Sequence, residues 1–313
     1  MPTCPTNIRG RIKDKMKKLV SAIVVGVLGL SIVPATASES SKSIAIIDYT
    51  FDTSRPELAG KVLADVCLSI TKVCVNAPTS TIYSNETYSH GTTMATVASQ
   101  VNPNIRLILI RVGNINAKTF RLSTMGPTEF DNVLIPAMDW VAQNRAQYNI
   151  VAVSTSMSHN SFNRSGSYCP IRKSAVYNST LQDRIVALQS IGIAAVFSAG
   201  NTYDNSRASY PACIPQSIAV GATELTEPSG IIPASLKSAK GSDVDFYTLG
   251  TYTLSFTRMT GQTSPAAVAF ASYWAKKYSN NYAETMSKIS ASVKPVYFAQ
   301  TKVSANSFVD VLN

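Results

Sequence analysis

Short, unbroken runs of apolar residues alternate with amphipathic stretches along most of the chain. The runs have no polar residue at alternate positions, which predicts strands that are covered on both faces of a sheet. They are Ser43–Ile47, Leu107–Val112, Ile150–Val153, Ile193–Phe197 and Ile218–Val220. Between them, apolar residues recur at helical spacing, as in Leu181, Ile185 and Leu188. The alternation predicts an α/β fold with a mostly parallel sheet and helices on both faces.

The first 37 residues have the three parts of a secretory signal. The basic pair Lys17-Lys18 precedes the apolar run Leu19–Val33, and the segment ends in Ala35-Thr36-Ala37. That run is shorter than the roughly 20 residues that span a bilayer, so we expect cleavage after Ala37, with an uncleaved anchor as the alternative. The sequence therefore predicts a secreted or periplasmic protein, with no membrane contact beyond export.

The remainder, residues 38–313, is predicted to form one domain. No segment has the composition of a linker between two folding units, although the stretch 224–245 is rich in loop formers. Met16 is an alternative start, because Met16-Lys17-Lys18 opens an ordinary signal without the residues before it. Only Ser38–Lys42 separate the signal from the first strand, which is too little for a pro-domain.

Charge argues against a nucleic-acid partner. The formal net charge is +10, but residues 1–37 carry six Lys or Arg and one Asp, so half of the excess leaves with the signal. The rest of the chain has no basic run and no interleaving of basic with aromatic residues.

Export also predicts an oxidising destination for the cysteines. Four of them follow the signal, and four cysteines allow three pairings. We favour Cys67–Cys74 and Cys169–Cys213. The chain has no CxxC, no HExxH and no ligand-spaced histidine cluster, so we expect no zinc site.

Polar residues stand where parallel strands end, which is where active sites of α/β folds gather. Asp48 ends the first strand, and Asn201 follows the fourth after Ser198-Ala199-Gly200. His90 opens a run of small residues that is typical of a packed helix. Ser264 precedes Pro265, which fits the first position of a helix.

Six segments carry a resemblance to one family, in that family's order. They are Ile44–Asp48, Arg55–Val62, Ser89–Ala95, Asn102–Val112, Ser198–Asn201 and Ser209–Ala222. They resemble the subtilisin-like serine peptidases (subtilases), and the resemblance covers most of the chain after the signal. It implies the parallel α/β fold, a polypeptide substrate and no cofactor. Structural calcium is common in the family, but we assign no ligands to it here.

The resemblance implies a role for each polar residue. Ser264 would be the nucleophile, His90 the base and then the acid, Asp48 the carboxylate that orients His90, and Asn201 the amide donor to the oxyanion. Amide hydrolysis needs these groups, because a serine hydroxyl is too weakly acidic to attack unless a base takes its proton. Asp52 is the alternative carboxylate.

The register at the nucleophile stays open. We favour Ser264, because Ala266-Ala267 then falls on the family's pair of small residues, whereas other alignments put Thr263 or Gly261 at that place. In the favoured register Gln262 stands where the family has glycine, or is inserted as an extra residue, and we expect it to strain or reshape the site. The alternative function is therefore a catalytically impaired homologue that binds peptides or proteins in the same groove.

The substrate groove is predicted from the same resemblance. An extended peptide would lie beside five consecutive residues: Ser154, Thr155, Ser156, Met157 and Ser158. Ser158 stands where the family commonly has glycine, so we expect a narrower pocket there. Because no pro-domain is recognisable, a separately encoded inhibitor or folding helper is a candidate partner.

Overall fold

A broad sheet of mostly parallel strands runs through the molecule. The computed structural model describes residues 41–68, 90–112, 127–158, 180–203, 207–224, 232–279, 281–298 and 301–312, all of them in the compact unit of residues 39–313. The strands are β1 (Ser43–Asp48), β2 (Val62–Cys67), β3 (Arg106–Arg111), β4 (Ile150–Thr155), β5 (Ala194–Ser198), β6 (Ile218–Thr223), β7 (Ile232–Pro233), β8 (Phe246–Leu249), β9 (Tyr252–Thr253), β10 (Arg258–Met259), β11 (Lys294–Phe298) and β12 (Thr301–Phe308).

The order of the strands places β1 near the middle of the parallel part. Among the described residues, ten strands follow one another in the order β2-β3-β1-β4-β5-β6-β8-β12-β11-β7. The neighbours from β2 to β8 are all parallel, whereas β11 and β12 form an antiparallel pair. Strands β9 and β10 form a separate small hairpin.

Helices cover both faces of this sheet. They are α1 (His90–Val101), α2 (Pro127–Tyr148), α3 (Thr180–Ser190), α4 (Thr263–Lys277) and α5 (Tyr282–Ser290). Ile44 and Ile46 of β1 pack with α1 and α4 on one face, and Ala45 and Ile47 pack with α2 and α3 on the other. The α/β prediction is confirmed, and each of the five predicted strands is present.

Helix α4 begins earlier than the sequence predicted. Pro265 was expected at the first helical position, but α4 starts at Thr263 and its N-cap residue is Gln262. Proline is tolerated here because the first four amides of a helix have no acceptor within the helix. Ser264 therefore lies in the first turn of α4, with its own N–H unused by the helix.

Of the four cysteines after the signal, only two lie among the described residues. Cys67 ends β2 and Cys213 is buried, whereas Cys74, Cys169 and residues 1–37 lie outside the described residues, so the disulfide pairing and the signal stay predictions. No helix in the described part of the chain is long and apolar enough to cross a membrane.

Candidate active site

The predicted carboxylate and imidazole form a hydrogen-bonded pair. Asp48 is the last residue of β1 and is 2% exposed, and its Oδ2 lies 2.6 Å from Nδ1 of His90. The other carboxylate oxygen, Oδ1, accepts a hydrogen bond from the Tyr49 amide at 2.8 Å. Both oxygens are thus engaged, and the imidazole is held by its Nδ1 edge.

Gly91 makes this approach possible. A Cβ atom at Gly91 would lie 2.3 Å from the carbonyl oxygen of Thr50, 2.8 Å from the Phe51 ring and 3.0 Å from Cβ of Asp48. Real Cβ atoms do not come so close to a backbone oxygen, so only glycine lets the start of α1 sit against the end of β1. The glycine after His90 therefore sets the distance between the two side chains.

Asp52, the alternative carboxylate, does not take this place. Its Oδ1 accepts hydrogen bonds from the amide and the hydroxyl of Ser54, at 3.1 and 2.5 Å. It closes a local turn beside the site.

Opposing effects set the pKa of His90. Desolvation lowers this pKa, whereas the charge of Asp48 and the hydrogen bond between the two side chains raise it, and the outcome is a pKa above the ordinary value of about 6.5. Burial, followed by the charge of Asp48, also raises the pKa of Tyr49. The Tyr49 hydroxyl therefore stays neutral beside the pair.

The side chain of Asn201 is oriented by Thr263. Its Oδ1 accepts hydrogen bonds from the amide of Thr263 at 3.0 Å and from its hydroxyl at 3.1 Å. The same hydroxyl accepts from the Gly200 amide at 3.2 Å. Because the oxygen end of the amide is bound to the start of α4, the NH₂ end of Asn201 is turned away from Thr263.

Ser264 lies at the same edge of the sheet as His90. Helix α1 starts beside the end of β1, and α4 starts beside Asn201, just beyond β5. Deeper in the protein, the hydroxyl of Ser272 donates to the carbonyl oxygen of Ala98 at 2.7 Å. Each of these two residues is eight positions past Ser264 or His90, which is about 12 Å of helix.

No hydrogen bond joins Ser264 to His90 within the described residues. Ser264 is 7% exposed. Its nearness to the imidazole is inferred from α1 and α4, because Ser264 and His90 each lie eight residues before the contact between Ser272 and Ala98. Catalytic hydrogen bonds are often long when no substrate is bound.

The expected strain at Gln262 is absent. Gln262 has φ −101° and ψ 144°, an ordinary extended conformation. The positive φ of this turn, +59°, belongs to Gly261, where a Cβ atom would lie 2.4 Å from Oγ of Ser235. The turn into α4 therefore has its glycine one residue earlier, and the prediction of strain at Gln262 was wrong.

A cavity of about 200 Å³ opens beside the Asp48–His90 pair. Its lining residues are Asp48, Tyr49, His90, Ser156, Met157 and Ser158. Three of the predicted substrate contacts, Ser156, Met157 and Ser158, thus face a space next to the imidazole.

Ser154 and Thr155 are not among the cavity residues. Both are 1% exposed inside β4. The Thr155 hydroxyl donates to the carbonyl oxygen of Ile47 at 3.0 Å and accepts from the Met157 amide at 3.2 Å. Thr155 thus ties the end of β4 to the end of β1, and contact of Ser154 or Thr155 with a substrate stays a prediction.

Metal ligands are not assigned. Within the described residues, no three side chains of His, Cys, Asp or Glu come together in a group that could hold a metal ion. His159, the second histidine, lies outside the described residues.

Comparison with known proteins gives two findings and one negative result. The model of the subtilase family matches residues 39–307. A solved structure of a cold-adapted subtilisin-like serine proteinase is similar with a TM-score of 0.61 and 18% identity, over 87% of this chain and 89% of that one. At such low identity this likeness shows the fold. No curated protein matches the sequence.

Proposed function

The chain belongs to the subtilase family, and on that premise we propose that it is an exported serine endopeptidase that hydrolyses peptide bonds. The observation that carries the proposal is the 2.6 Å contact between Asp48 Oδ2 and His90 Nδ1 at the carboxyl edge of the sheet. A buried carboxylate on one imidazole nitrogen leaves the other nitrogen free to act as a base.

The proton relay follows from this contact. Because Nδ1 donates its hydrogen to Asp48, Nε2 carries the lone pair and accepts the proton of the Ser264 hydroxyl as Ser264 attacks the carbonyl carbon of the substrate. The imidazolium that forms is stabilised by Asp48. It then returns the proton to the leaving amine as the peptide bond breaks, and water repeats the sequence to release the acyl group.

Two donors are available to the oxyanion. The Asn201 NH₂ group is turned away from Thr263, since that residue binds the amide oxygen. The Ser264 amide lies in the first turn of α4, where backbone N–H groups have no helical acceptor and the helix dipole favours negative charge. Removal of one such donor typically reduces kcat on the order of 10²–10³.

The geometry of the serine turn favours an enzyme over a binding homologue. One argument for the alternative was distortion at Gln262, and Gln262 is unstrained. Ser264 also has the small residues Ala266 and Ala267 behind it, both fully buried against the sheet. This supports the register in which Ser264, rather than Thr263, is the nucleophile, because the Thr263 hydroxyl is engaged with Asn201.

The substrate is proposed to be an extended polypeptide. The cavity beside His90 has room for a side chain of small or moderate size, with Met157 and the neutral Tyr49 as its apolar walls. Ser156 and Ser158 supply hydroxyls at the same place. No cofactor is needed for the steps above.

Export and disulfide formation are part of the proposal and rest on the sequence. Cleavage after Ala37 would release a chain that begins at Ser38, in a compartment where Cys67–Cys74 and Cys169–Cys213 can form. Amino-terminal sequencing of the exported protein checks the first point, since any first residue other than Ser38 would move the boundary. An inhibitor or folding helper supplied by another chain remains a candidate partner.

The experiment that tests this function is cleavage of an unfolded polypeptide by the purified protein. We expect internal cleavage, identified by mass spectrometry of the products, with activity lost in His90→Ala and retained in Asp52→Asn. A folded protein that binds the polypeptide without cleaving it would instead establish the impaired homologue.

A further inference from the structure

The loop that carries Asn201 is held in an unfavourable conformation. Gly200 has φ +105°, and Tyr203 has φ +58°, a value that bulky residues rarely adopt. The Tyr203 side chain is 64% exposed, so its own packing does not explain this backbone. Such strain persists only where surrounding contacts fix the chain.

Besides the contacts with Thr263 described above, two such contacts come from one neighbouring loop. The Ala239 amide donates to the Gly200 carbonyl oxygen at 2.7 Å, and the Tyr203 amide donates to the Lys237 carbonyl oxygen at 3.1 Å. The two hydrogen bonds lie on either side of Asn201. The segment 235–240, which we name the support loop, therefore fixes the backbone on both sides of the proposed oxyanion donor.

The support loop is folded around a buried ammonium group. Lys240 is 1% exposed, and its Nζ donates to the carbonyl oxygens of Ser238 at 2.7 Å and Leu236 at 3.2 Å. Both acceptors flank Lys237, whose carbonyl holds Tyr203. Leu236 is 63% exposed, so apolar packing of its side chain does not hold this end of the loop.

Burial of a lysine is unfavourable unless its hydrogen bonds compensate for the water it loses. Lys240 takes no part in the proton relay or in the cavity beside His90. We propose that Lys240 is a positioning residue: its ammonium group holds the support loop in the shape that keeps Asn201 aimed at the oxyanion. This inference rests on the proposed function of the site.

The test is a double-mutant cycle with Lys240→Met and Asn201→Ala. Methionine has a similar length and no charge or donor. We expect Lys240→Met to lower kcat roughly 10- to 100-fold, up to the loss that removal of one oxyanion donor causes, with KM within twofold of the parent value. In the Asn201→Ala background the same substitution should change kcat by less than threefold, because the donor that Lys240 positions is already gone.

A matched control separates positioning from a general loss of stability. Thr285, a fully buried polar residue of α5 far along the chain from the site, donates to the Asn281 carbonyl oxygen at 2.8 Å. Thr285→Ala should lower the thermal midpoint while kcat stays at the parent value. Equal losses of kcat from Lys240→Met in both backgrounds, or no loss in a folded protein, would overturn the proposal.

Hydrogen exchange provides a readout that does not need activity. We expect Lys240→Met to increase amide exchange in residues 199–203 and 235–240, with exchange in α1 unchanged. Unchanged exchange in residues 199–203 would contradict the proposal even in an inactive protein.

A second variant keeps the test usable if Lys240→Met does not fold. Lys240→Gln keeps a hydrogen-bond donor, and we expect it to increase exchange in the same residues by a smaller amount. A parent protein that does not cleave peptides but shows this exchange pattern would reject the proposed function alone.

Discussion

Replacement of Ser264 by alanine will lower kcat for peptide cleavage by about four to six orders of magnitude. The change removes the oxygen that attacks the substrate and leaves only the residual effect of the oxyanion donors and of substrate binding. Because Ser264 is 7% exposed in the first turn of α4 and alanine favours helices, we expect the fold and the affinity for substrate to be kept. Steady-state kinetics on one peptide, with substrate binding measured separately, tests this.

A serine outside the site gives the matched control. Ser287→Ala, on the exposed side of α5, should have the parent values of kcat and KM. Parent activity in Ser264→Ala, together with its loss in Thr263→Val, would move the nucleophile to Thr263 and contradict the register that we favour.

Replacement of Asp48 by asparagine will lower kcat by about 10⁴. The asparagine can present an N–H group to His90 Nδ1, which places the imidazole hydrogen on Nε2 and removes the lone pair that Ser264 needs. Burial of the position is unchanged, so the loss comes from the tautomer and from the missing charge rather than from packing.

The same substitution changes the pH profile. The base must be neutral, so kcat/KM of the parent should rise with pH as His90 loses its proton, with a midpoint above 6.5 because the net effect of its surroundings raises the pKa. Asp48→Asn removes the charge and the charge-assisted hydrogen bond, which raise this pKa, while desolvation, which lowers it, remains. The midpoint should therefore fall. Asp52→Asn should keep the parent midpoint; a fall of equal size there would contradict the account that the Asp48 contact in particular raises the pKa of His90.

The central strands were predictable because each is an unbroken apolar run, which fits a strand buried on both faces. Residues of β1 from Ser43 to Asp48 are all buried, and an unbroken apolar run fits a strand with a helix on each face. The edge strand β2 was not predicted, because Val62–Cys67 is only half-buried and contains Asp65. Strand β8 was not predicted either, because a segment of four residues shows little periodicity.

Helix α5 had a signal that the sequence interpretation did not use. Asn281 is its N-cap and accepts a hydrogen bond from the Glu284 amide at 2.9 Å. An Asn followed three residues later by an acidic residue is a sequence pattern that indicates the start of a helix. The start of α4 was misplaced for a related reason: Pro265 marks the first turn of a helix but not which position of that turn it occupies.

The candidate residues of the site could be chosen from the sequence, but their geometry could not. Asp48, His90 and Asn201 follow strand ends or open a helix, so their positions could be read from the chain. The consequence of Gln262 could not, because only the backbone shows that Gly261 takes the positive φ. Lys240 had no signal at all, since lysine is normally exposed and nothing in its neighbourhood along the chain predicts burial.

Labelling of the purified protein with a fluorophosphonate probe, followed by mass spectrometry of the modified peptide, tests the central claim most directly. The probe reacts with a serine that a neighbouring base activates, so it reports the nucleophile and the Asp48–His90 pair together. We predict a label on Ser264 in the parent and none in His90→Ala. A folded parent protein that takes up no label, or one labelled at Ser264 equally well after His90→Ala, would contradict the account.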